Sequence, residues 1–414
     1  MDGDPAVEPE LDAFSLIFPL PYRVAFIFIL GIWAWAFNLH YLSESKIDIA
    51  TLIRHPNRNS ASGSSHYLRT YRLASSITIP FVISILLFWI ITHRQASLVL
   101  AWDILPQSYL FLLVIFFALP LQRLSKVGRY RFLSTLKRIS IGGIAEAQDA
   151  KFGDVLLSDV LTSYAKVLGD LVVSGCMFFS SDSSSTAKPS RTCGGKFLVP
   201  LIISIPSLIR LRQCLIEYSR VRKSIQKTGV NGPSGWGGQH LANALKYSSS
   251  FPVIILSAFQ RDYDPAKIGM TETGLFRLWL FFVFVNSFYS FYWDVAKDWD
   301  LTILSSSRER NSPEHPWGLR RPLQFQSRDL YYAAIITDLF LRCTWSLKLS
   351  PHLDHFNDLE GSIFVMEVFE VLRRWIWIFF RVETEWVRYN RGLPNEELPL
   401  TDYNEHNNKV KHES

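Results

Sequence analysis

The sequence predicts an all-α polytopic membrane protein, a helical bundle of about 9–10 transmembrane helices. The chain of 414 residues is 48% hydrophobic and 14% aromatic. Its apolar residues are gathered in blocks of about 18 residues or more, the length that crosses a bilayer. Its basic residues lie mainly between these blocks, as they do in the cytosolic loops of membrane proteins.

The spans are read from the apolar blocks in chain order. The first block follows a segment, residues 1–21, that is acidic and lacks the basic start of a signal peptide. We therefore expect this first block to be retained as a span. The predicted spans are residues 22–42, 74–93, 104–122, 155–179, 197–213, 241–260, 274–295, 329–348 and 362–381.

The loops between the spans differ in charge. Basic residues are concentrated in loops 43–73, 123–153, 214–240 and 296–328, whereas loop 349–361 is acidic. The positive-inside rule therefore places the basic loops and the C-terminus in the cytosol.

One segment leaves the number of spans open. Residues 129–143 are amphipathic and form either an interfacial helix or a short tenth span. With this segment as a span, the N-terminus is cytosolic; without it, the N-terminus is luminal.

The same patterns divide the chain into four parts and exclude several classes of protein. The parts are a polar acidic N-terminal segment 1–21, N-terminal helices and basic loops 22–153, a transmembrane core 154–386 and a polar tail 387–414. The net charge of +6 does not indicate nucleic-acid binding, because the basic residues lie in the loops between spans. The four cysteines show no spacing typical of a disulfide scaffold or a metal site. No nucleophile–base motif, Gly-rich phosphate loop or HExxH is present, so we predict neither an enzyme nor a cofactor.

Ionisable residues inside the spans are the strongest functional signal. Such residues are costly in hydrocarbon, and they normally face the interior of the bundle or a water-filled path. Spacing groups several of them on one helix face. Asp294 and Asp298 are four residues apart, and Asp338 and Arg342 have the spacing of a pair within one helix. A further row on one face consists of Glu367, Glu370 and Arg374, with Arg373 beside it.

These charges have two interpretations, structural ion pairs that hold the bundle together or a substrate path. Charges near span ends, such as Asp154 and Arg381, are expected instead to reach the headgroups. The tryptophans of the last helix are expected on its outer side, which faces lipid or neighbouring helices. They are Trp375, Trp377 and Trp386.

A path lined by these residues would suit a compact anion. Arginine offers a planar fork for phosphate oxygens and lysine offers a point charge. The candidate cations are Arg210, Lys246, Arg342, Arg373 and Arg374. Acidic residues would offset them in the empty site and keep binding weak enough for release. The candidate acids are Asp159, Asp294, Asp298 and Glu370.

The chain resembles the EXS-domain family, which includes the retrovirus-receptor phosphate exporters of animals, plant phosphate exporters and the ER-retention-defective protein of the yeast Golgi. The resemblance is carried by ordered stretches over about 230 residues of the core. They are "FGDVLLSDVLTSY", "IPSLIRLRQCLIEYSRVRKS", "LANALKYSSSFPVII", "SFYWDVAKDWDL", "YYAAIITDLFLRCTWSL" and "FEVLRRWIWIFFRVETEW". The family domain is a helical bundle that moves inorganic phosphate. The resemblance therefore implies that the cations and acids named above line its path, and it adds Tyr247 and Trp345.

The resemblance also implies a setting. With about 20 residues before its first span, the chain is similar to the short Golgi branch, which lacks the regulatory SPX domain. That branch implies return of luminal phosphate, released by glycosylation, to the cytosol, and support for retention of ER luminal proteins and Golgi glycosyltransferases. The family has cysteines near Cys176 and Cys193, so these two are either disulfide-bonded or free thiols. The endings "DWDL" and "RVETEW" depart from the family's "DWGL" and "RLENEH", which puts gating in question more than binding.

A different class of function remains open from the sequence. The protein would then be a non-transporting trafficking factor that binds coat or cargo-adaptor proteins through its cytosolic loops and tail. The ending "KVKHES" places Lys411 and His412 where a dilysine-type signal lies, but the match is weak and a solvated charged tail is the favoured interpretation.

Overall fold

The computed structural model describes residue 11 and residues 13–53, 64–119, 126–145, 151–180, 184–229, 235–261, 263–264, 269–305, 307–310, 313, 315–344 and 360–391. Within these ranges the regular structure is helical and no β-strand forms. The α-helices are α1 Ala13–Ile17, α2 Leu20–Glu44, α3 Ile49–Leu52, α4 Ser64–Thr92, α5 Ala96–Ala101, α6 Ile104–Ala118, α7 Lys126–Lys137, α8 Lys151–Ser163, α9 Ala165–Phe179, α10 Leu198–Thr228, α11 Gly238–Ser248, α12 Ser250–Arg261, α13 Glu272–Trp293, α14 Ser307–Arg310, α15 Arg328–Arg342 and α16 Glu360–Asn390. Two π-helical turns follow α7 and α13, at Arg138–Gly142 and Asp294–Asp298, and a 3₁₀ turn lies at Pro316–Gly318.

The helices confirm a polytopic membrane protein. Four of them are long and apolar enough to cross a bilayer, namely Leu20–Glu44, His66–Thr92, Leu198–Thr228 and Glu272–Asp298. The shorter Ile104–Ala118 is also apolar. The helices over the other predicted spans are interrupted, short or rich in ionisable residues. Composition alone therefore does not mark them as spans.

Two predicted spans are not continuous helices. Span 155–179 is divided at Tyr164 into α8 and α9, and span 241–260 is divided at Ser249 into α11 and α12. At the first break the chain forms a turn, because the Tyr164 amide donates to the carbonyl oxygen of Leu161 at 3.1 Å. Discontinuous helices are frequent where a transporter binds its substrate.

Other boundaries also differ from the prediction. Helix α10 continues well past residue 213 to Thr228, and α16 runs from Glu360 to Asn390, beyond both ends of span 362–381. Helix α15 ends at Arg342. The predicted residues 345–348 and 120–122, and the tail from residue 392, lie outside the described residues.

The four basic loops meet at one end of the bundle, which we call the basic end. Gln324 donates a hydrogen bond to the Ser45 carbonyl oxygen at 3.0 Å, and Arg131 donates to that of Ile53 at 3.3 Å. Arg220 donates to the Ala145 carbonyl oxygen at 3.0 Å. These bonds join loops 43–73, 123–153, 214–240 and 296–328, as a common side of the membrane requires.

Segment 129–143 begins and ends at the basic end. Near its start, Arg129 donates to the carbonyl oxygen of Phe116, at the end of α6, at 2.7 Å. Directly after it, the Ile144 carbonyl oxygen accepts from Arg220 at 3.0 Å. Both termini of the segment thus lie on one side, which is the arrangement of an interfacial helix and not of a tenth span.

The start of the described chain lies at the opposite end. Arg23 of α2 contacts Glu360, the first residue of α16, and Arg191 of the loop after α9 contacts the same carboxylate. That loop carries Cys193, which forms a disulfide with Cys176 at a Cα–Cα distance of 6.0 Å. We call this the disulfide end.

Candidate functional site

The charged residues of the core converge from six segments of the bundle. The cations come from α10, α11, α15 and α16, and the acids come from α8, α15, α16 and the π-helical turn after α13. Most are buried, with Arg210, Arg373 and Arg374 at 4%, 3% and 6% exposed. We call this set the charged core. It consists of Asp159, Arg210, Lys246, Asp294, Asp298, Asp338, Arg342, Glu370, Arg373 and Arg374.

Asp294 is the centre of the charged core. It is fully buried and pairs with cations from three helices. Lys246 Nζ lies 3.3 Å from Oδ1, Arg373 Nη1 lies 3.2 Å from Oδ2, and Arg342 donates to the same Oδ2. Because three cations share one carboxylate, this aspartate fixes how α11, α15 and α16 are placed around the π-helical turn.

Arg373 is held by acids from three segments. Its Nε and Nη2 bind the two oxygens of Glu370, one turn earlier on α16, at 3.0 and 2.5 Å. Its Nη1 also reaches Oδ1 of Asp338 at 3.3 Å. The second oxygen of Asp338 accepts from Arg342 at 3.1 Å, which is the pair that the spacing within α15 predicts.

Arg374 lies beside the break between α8 and α9. Its Nε donates to the hydroxyl of Ser163 at 2.9 Å, and its Nη2 donates to that of Thr162 at 3.2 Å. The hydroxyl of Ser163 in turn donates to Glu370 at 2.9 Å. The Nη1 atom of Arg374 is buried, and no described residue accepts a hydrogen bond from it.

A second group of contacts ties α8 to α10 and α11. Arg210 Nε lies 2.8 Å from Oδ1 of Asp159, and Tyr247 donates its hydroxyl hydrogen to the same oxygen at 2.5 Å. Arg210 also donates to Gln213, one turn later on α10, at 2.6 Å, and it lies 4.9 Å from the centre of the Tyr247 ring. Tyr247, which only the family resemblance indicates, is therefore in contact with the charged core.

Asp298 is at the margin of the charged core. Its side chain is 17% exposed, Lys246 Nζ lies 3.6 Å from Oδ2, and Trp377 donates to that oxygen at 3.3 Å. Asp294 and Asp298 bracket one π-helical turn and both face Lys246. The predicted common face is therefore retained in spite of the wider turn.

The charged core has no net formal charge, because its five cations face five carboxylates. Two groups in it differ from the rest. Glu370 is bound by Arg373 and Ser163 although its side chain is 38% exposed, and Arg374 Nη1 is a donor for which no described residue is an acceptor. An anion that reached this region would meet guanidinium donors beside a partly exposed carboxylate.

Sequence reasoning missed several members of this site. Ser163, Thr162 and Gln213 are hydroxyl or amide side chains, and nothing in their spacing distinguishes them from ordinary polar helix residues. Trp377 was expected on the lipid- or neighbour-facing side of α16; it is fully buried, and the Arg374 guanidinium lies 4.5 Å from its ring centre. Trp345 lies outside the described residues.

Two charges that were expected to reach the headgroups instead lie inside the protein. Asp154 is fully buried and binds Arg138 and the Ala145 amide. Arg381 has a side chain that is 15% exposed and binds Glu385 at 3.0 Å. Each has a partner of opposite charge within reach, which is the reason that burial is tolerated.

The cysteines are of two kinds. Cys176 and Cys193 are bonded, whereas Cys214, which is buried, and Cys343, which is partly buried, are free. The disulfide joins the end of α9 to the loop that carries Arg191. The loop is thereby held against the disulfide end of the bundle.

The fold and the site define a polytopic helical membrane protein with a buried, charge-balanced core and interrupted helices around it. Residues 18–387 match the EXS family, and the chain belongs to that family. It is 29% identical over 384 residues to Protein ERD1 homolog 1 of Schizosaccharomyces pombe, covering 92% of this chain and 94% of the relative. It is 30% identical over 413 residues to Protein ERD1 of Kluyveromyces lactis, covering 95% and 99%. It is also 28% identical over 292 residues to solute carrier family 53 member 1 of Mus pahari, where the match covers 68% of this chain and 38% of the relative.

Proposed function

We propose that this protein transports inorganic phosphate across the membrane, through the charged core, between the disulfide end and the basic end. The observation that carries the proposal is the convergence of five cationic side chains from four helices on a buried region with no net charge. If these charges were only structural ion pairs, each would need no more than a partner of opposite charge. A free guanidinium donor beside a partly exposed carboxylate is what an exchangeable anion would use.

Phosphate chemistry fits these groups. The adjacent guanidinium groups of Arg373 and Arg374 present planar donors, and Lys246 adds a point charge on the other side of Asp294. An entering anion would take the place of Glu370 on Arg373, and the carboxylate would return when the anion leaves. This competition keeps the affinity low enough for release, as conduction requires.

The proposed setting is the Golgi membrane, with the basic end and the C-terminus in the cytosol. The support is the family, the Protein ERD1 relatives and the positive-inside rule. In this setting the protein returns luminal phosphate to the cytosol and thereby supports retention of ER luminal proteins and Golgi glycosyltransferases.

Release of radiolabelled phosphate from proteoliposomes tests transport. We expect the wild-type protein to release phosphate well above protein-free vesicles. Arg373→Ala and Arg374→Ala are expected to lower the initial rate about tenfold or more, because each removes a charge-assisted contact to the anion, worth about 1.5–3 kcal/mol. Arg277→Ala removes an exposed arginine outside the charged core, and this control should leave the rate unchanged.

The outcome that contradicts transport is a wild-type rate equal to that of protein-free vesicles. Equal rates in the wild type and in the two core variants, all well above that background, would contradict the assignment of the path to the charged core. The first result would favour the trafficking factor. The C-terminal tail, through which such a factor would bind its partners, lies outside the described residues.

A further inference from the structure

Charged residues form a track along the whole of α16. Glu360, Glu367, Arg374 and Arg381 follow one another at intervals of seven residues, which keeps them within one sector of the helix. Their side chains are buried or nearly so. From the first to the last the track is about 31 Å long, close to the thickness of the hydrocarbon core.

The disulfide end of the track holds a separate cluster of charges. Arg23 donates to one oxygen of Glu360 at 3.0 Å, and Arg191 binds both oxygens of the same carboxylate at 2.8 and 3.1 Å. Arg191 Nε lies 3.6 Å from Oδ1 of Asp170 on α9. Both arginines are thus committed to carboxylates other than Glu367.

Glu367 is the carboxyl group of this cluster that forms no ion pair with any described residue. It is 4% exposed, and no described residue donates a hydrogen bond to its buried Oε1. The charged groups that act on it from neighbouring elements are Asp170 and Lys166 of α9, Arg191 of the following loop and Arg23 of α2. Of these, Lys166 is exposed, and Asp170 has the same sign of charge as Glu367.

The described charges of this cluster balance only through an exposed side chain. Three cations, Arg23, Arg191 and Lys166, face three carboxyl groups, Asp170, Glu360 and Glu367. Both arginines bind the other carboxylates and Lys166 is exposed, so Glu367 is the least firmly paired of the three. A buried carboxylate that lacks a close partner is costly, so this group has a place for one proton, on the same helix face as the proposed anion path.

We propose that Glu367 is a proton-carrying residue, and that the protein moves one proton together with each phosphate monoanion. The inference rests on the proposed phosphate transport. Adding an anion to a neutral core leaves a net negative charge in the membrane, and a proton on the track cancels it. Glu367 lies one turn from Glu370 on the same helix, so the proton and the anion sites are adjacent.

A pH gradient across proteoliposomes tests the coupling. The outside is made acidic, the phosphate monoanion is set to the same concentration on both sides, and the membrane potential is held at zero. A carrier of the monoanion alone has no driving force under these conditions. We expect the wild type to accumulate radiolabelled phosphate inside, because the additional proton supplies the driving force.

Glu367→Gln mimics the protonated carboxyl group permanently. We expect this variant to lose the accumulation driven by the pH gradient and to keep exchange of internal for external phosphate, which needs no net proton movement. Glu367→Asp keeps a titratable group and should keep the coupling. It is also the second variant if the glutamine protein does not fold, which size-exclusion chromatography of each purified variant checks.

Three results would overturn the proposal. Exchange without any accumulation in the wild type means that no additional proton moves, although phosphate transport stands. Accumulation by Glu367→Gln equal to that of the wild type places the proton on another group. Loss of exchange together with accumulation in a folded Glu367→Gln protein assigns Glu367 to the anion path itself. Absence of exchange in the wild type as well would instead remove the proposed phosphate transport.

Discussion

At the residue scale, Asp294 decides whether the charged core holds together. It is the one residue of this core that pairs with three cations, Lys246, Arg342 and Arg373. We expect Asp294→Asn to lower the free energy of unfolding by about 3 kcal/mol or more, because it leaves a buried excess of positive charge. The measurement is the thermal midpoint of the purified protein in detergent.

Asp298→Asn is the matched control for this prediction. Asp298 lies on the same π-helical turn but is partly exposed and contacts Lys246 at 3.6 Å. We expect a much smaller decrease of the thermal midpoint. Equal decreases in the two variants would contradict the central role of Asp294.

What the sequence could predict at this scale depends on distance along the chain. The Asp338–Arg342 contact follows from helical spacing, because residues four apart share a face in any α-helix. The pair of Asp159 with Arg210 joins α8 to α10, and the bond from Ser163 to Glu370 joins α8 to α16. Periodicity reports which face of a helix is polar but not which helix lies opposite. Individual candidates could therefore be named, while their partners could not.

At the scale of elements, α2 makes a close approach to the break between α8 and α9. A Cβ atom at Gly31 would lie 1.9 Å from the Tyr164 hydroxyl oxygen and 3.1 Å from its ring carbon Cζ. Tyr164 is itself 8% exposed and directly follows Ser163, which binds Arg374. A side chain at position 31 must therefore displace the residue at the break.

We expect Gly31→Ala to lower both the thermal midpoint and the initial rate of phosphate release. Gly175→Ala in α9 is the control, since a Cβ atom there meets nothing within 4 Å. Both substitutions gain about 1 kcal/mol in helix propensity. A difference between them thus measures the collision with Tyr164, and equal behaviour would show that the ring moves aside without consequence.

The breaks at Tyr164 and Ser249 are helix boundaries that were not predicted from the sequence. No proline or glycine lies next to Tyr164, whereas Pro252 lies in the first turn of α12, directly after the break at Ser249. Single spans were predicted at both places. By contrast, Pro80 and Pro206 lie inside α4 and α10 without ending either helix. A proline therefore does not by itself decide where a helix ends in this protein, and the break at Tyr164 has none beside it.

At the scale of the whole molecule, the contacts between loops fix the topology that charge patterning left open. All four basic loops meet at one end, and segment 129–143 returns to that end. The number of membrane crossings from α2 to α16 is therefore odd. This places the start of α2 on the side opposite to the basic loops, together with the disulfide.

Sided labelling of introduced cysteines tests this topology. Gln95→Cys lies exposed in the loop after α4 at the disulfide end, Arg222→Cys is exposed on α10 at the basic end, and Tyr130→Cys is exposed on α7. The proposed setting is tested in sealed Golgi vesicles whose cytosolic face is outward, where an impermeant maleimide should label positions 130 and 222 directly. Position 95 should react only after permeabilisation, because the proposed orientation, which follows the positive-inside rule, has the disulfide end in the lumen. Replacing Cys343 with Ser removes the one free cysteine of the described chain that is not fully buried. Labelling of position 95 before permeabilisation would reverse the orientation, whereas protection of position 130 with labelling of position 222 would mean that α7 does not lie at the basic end.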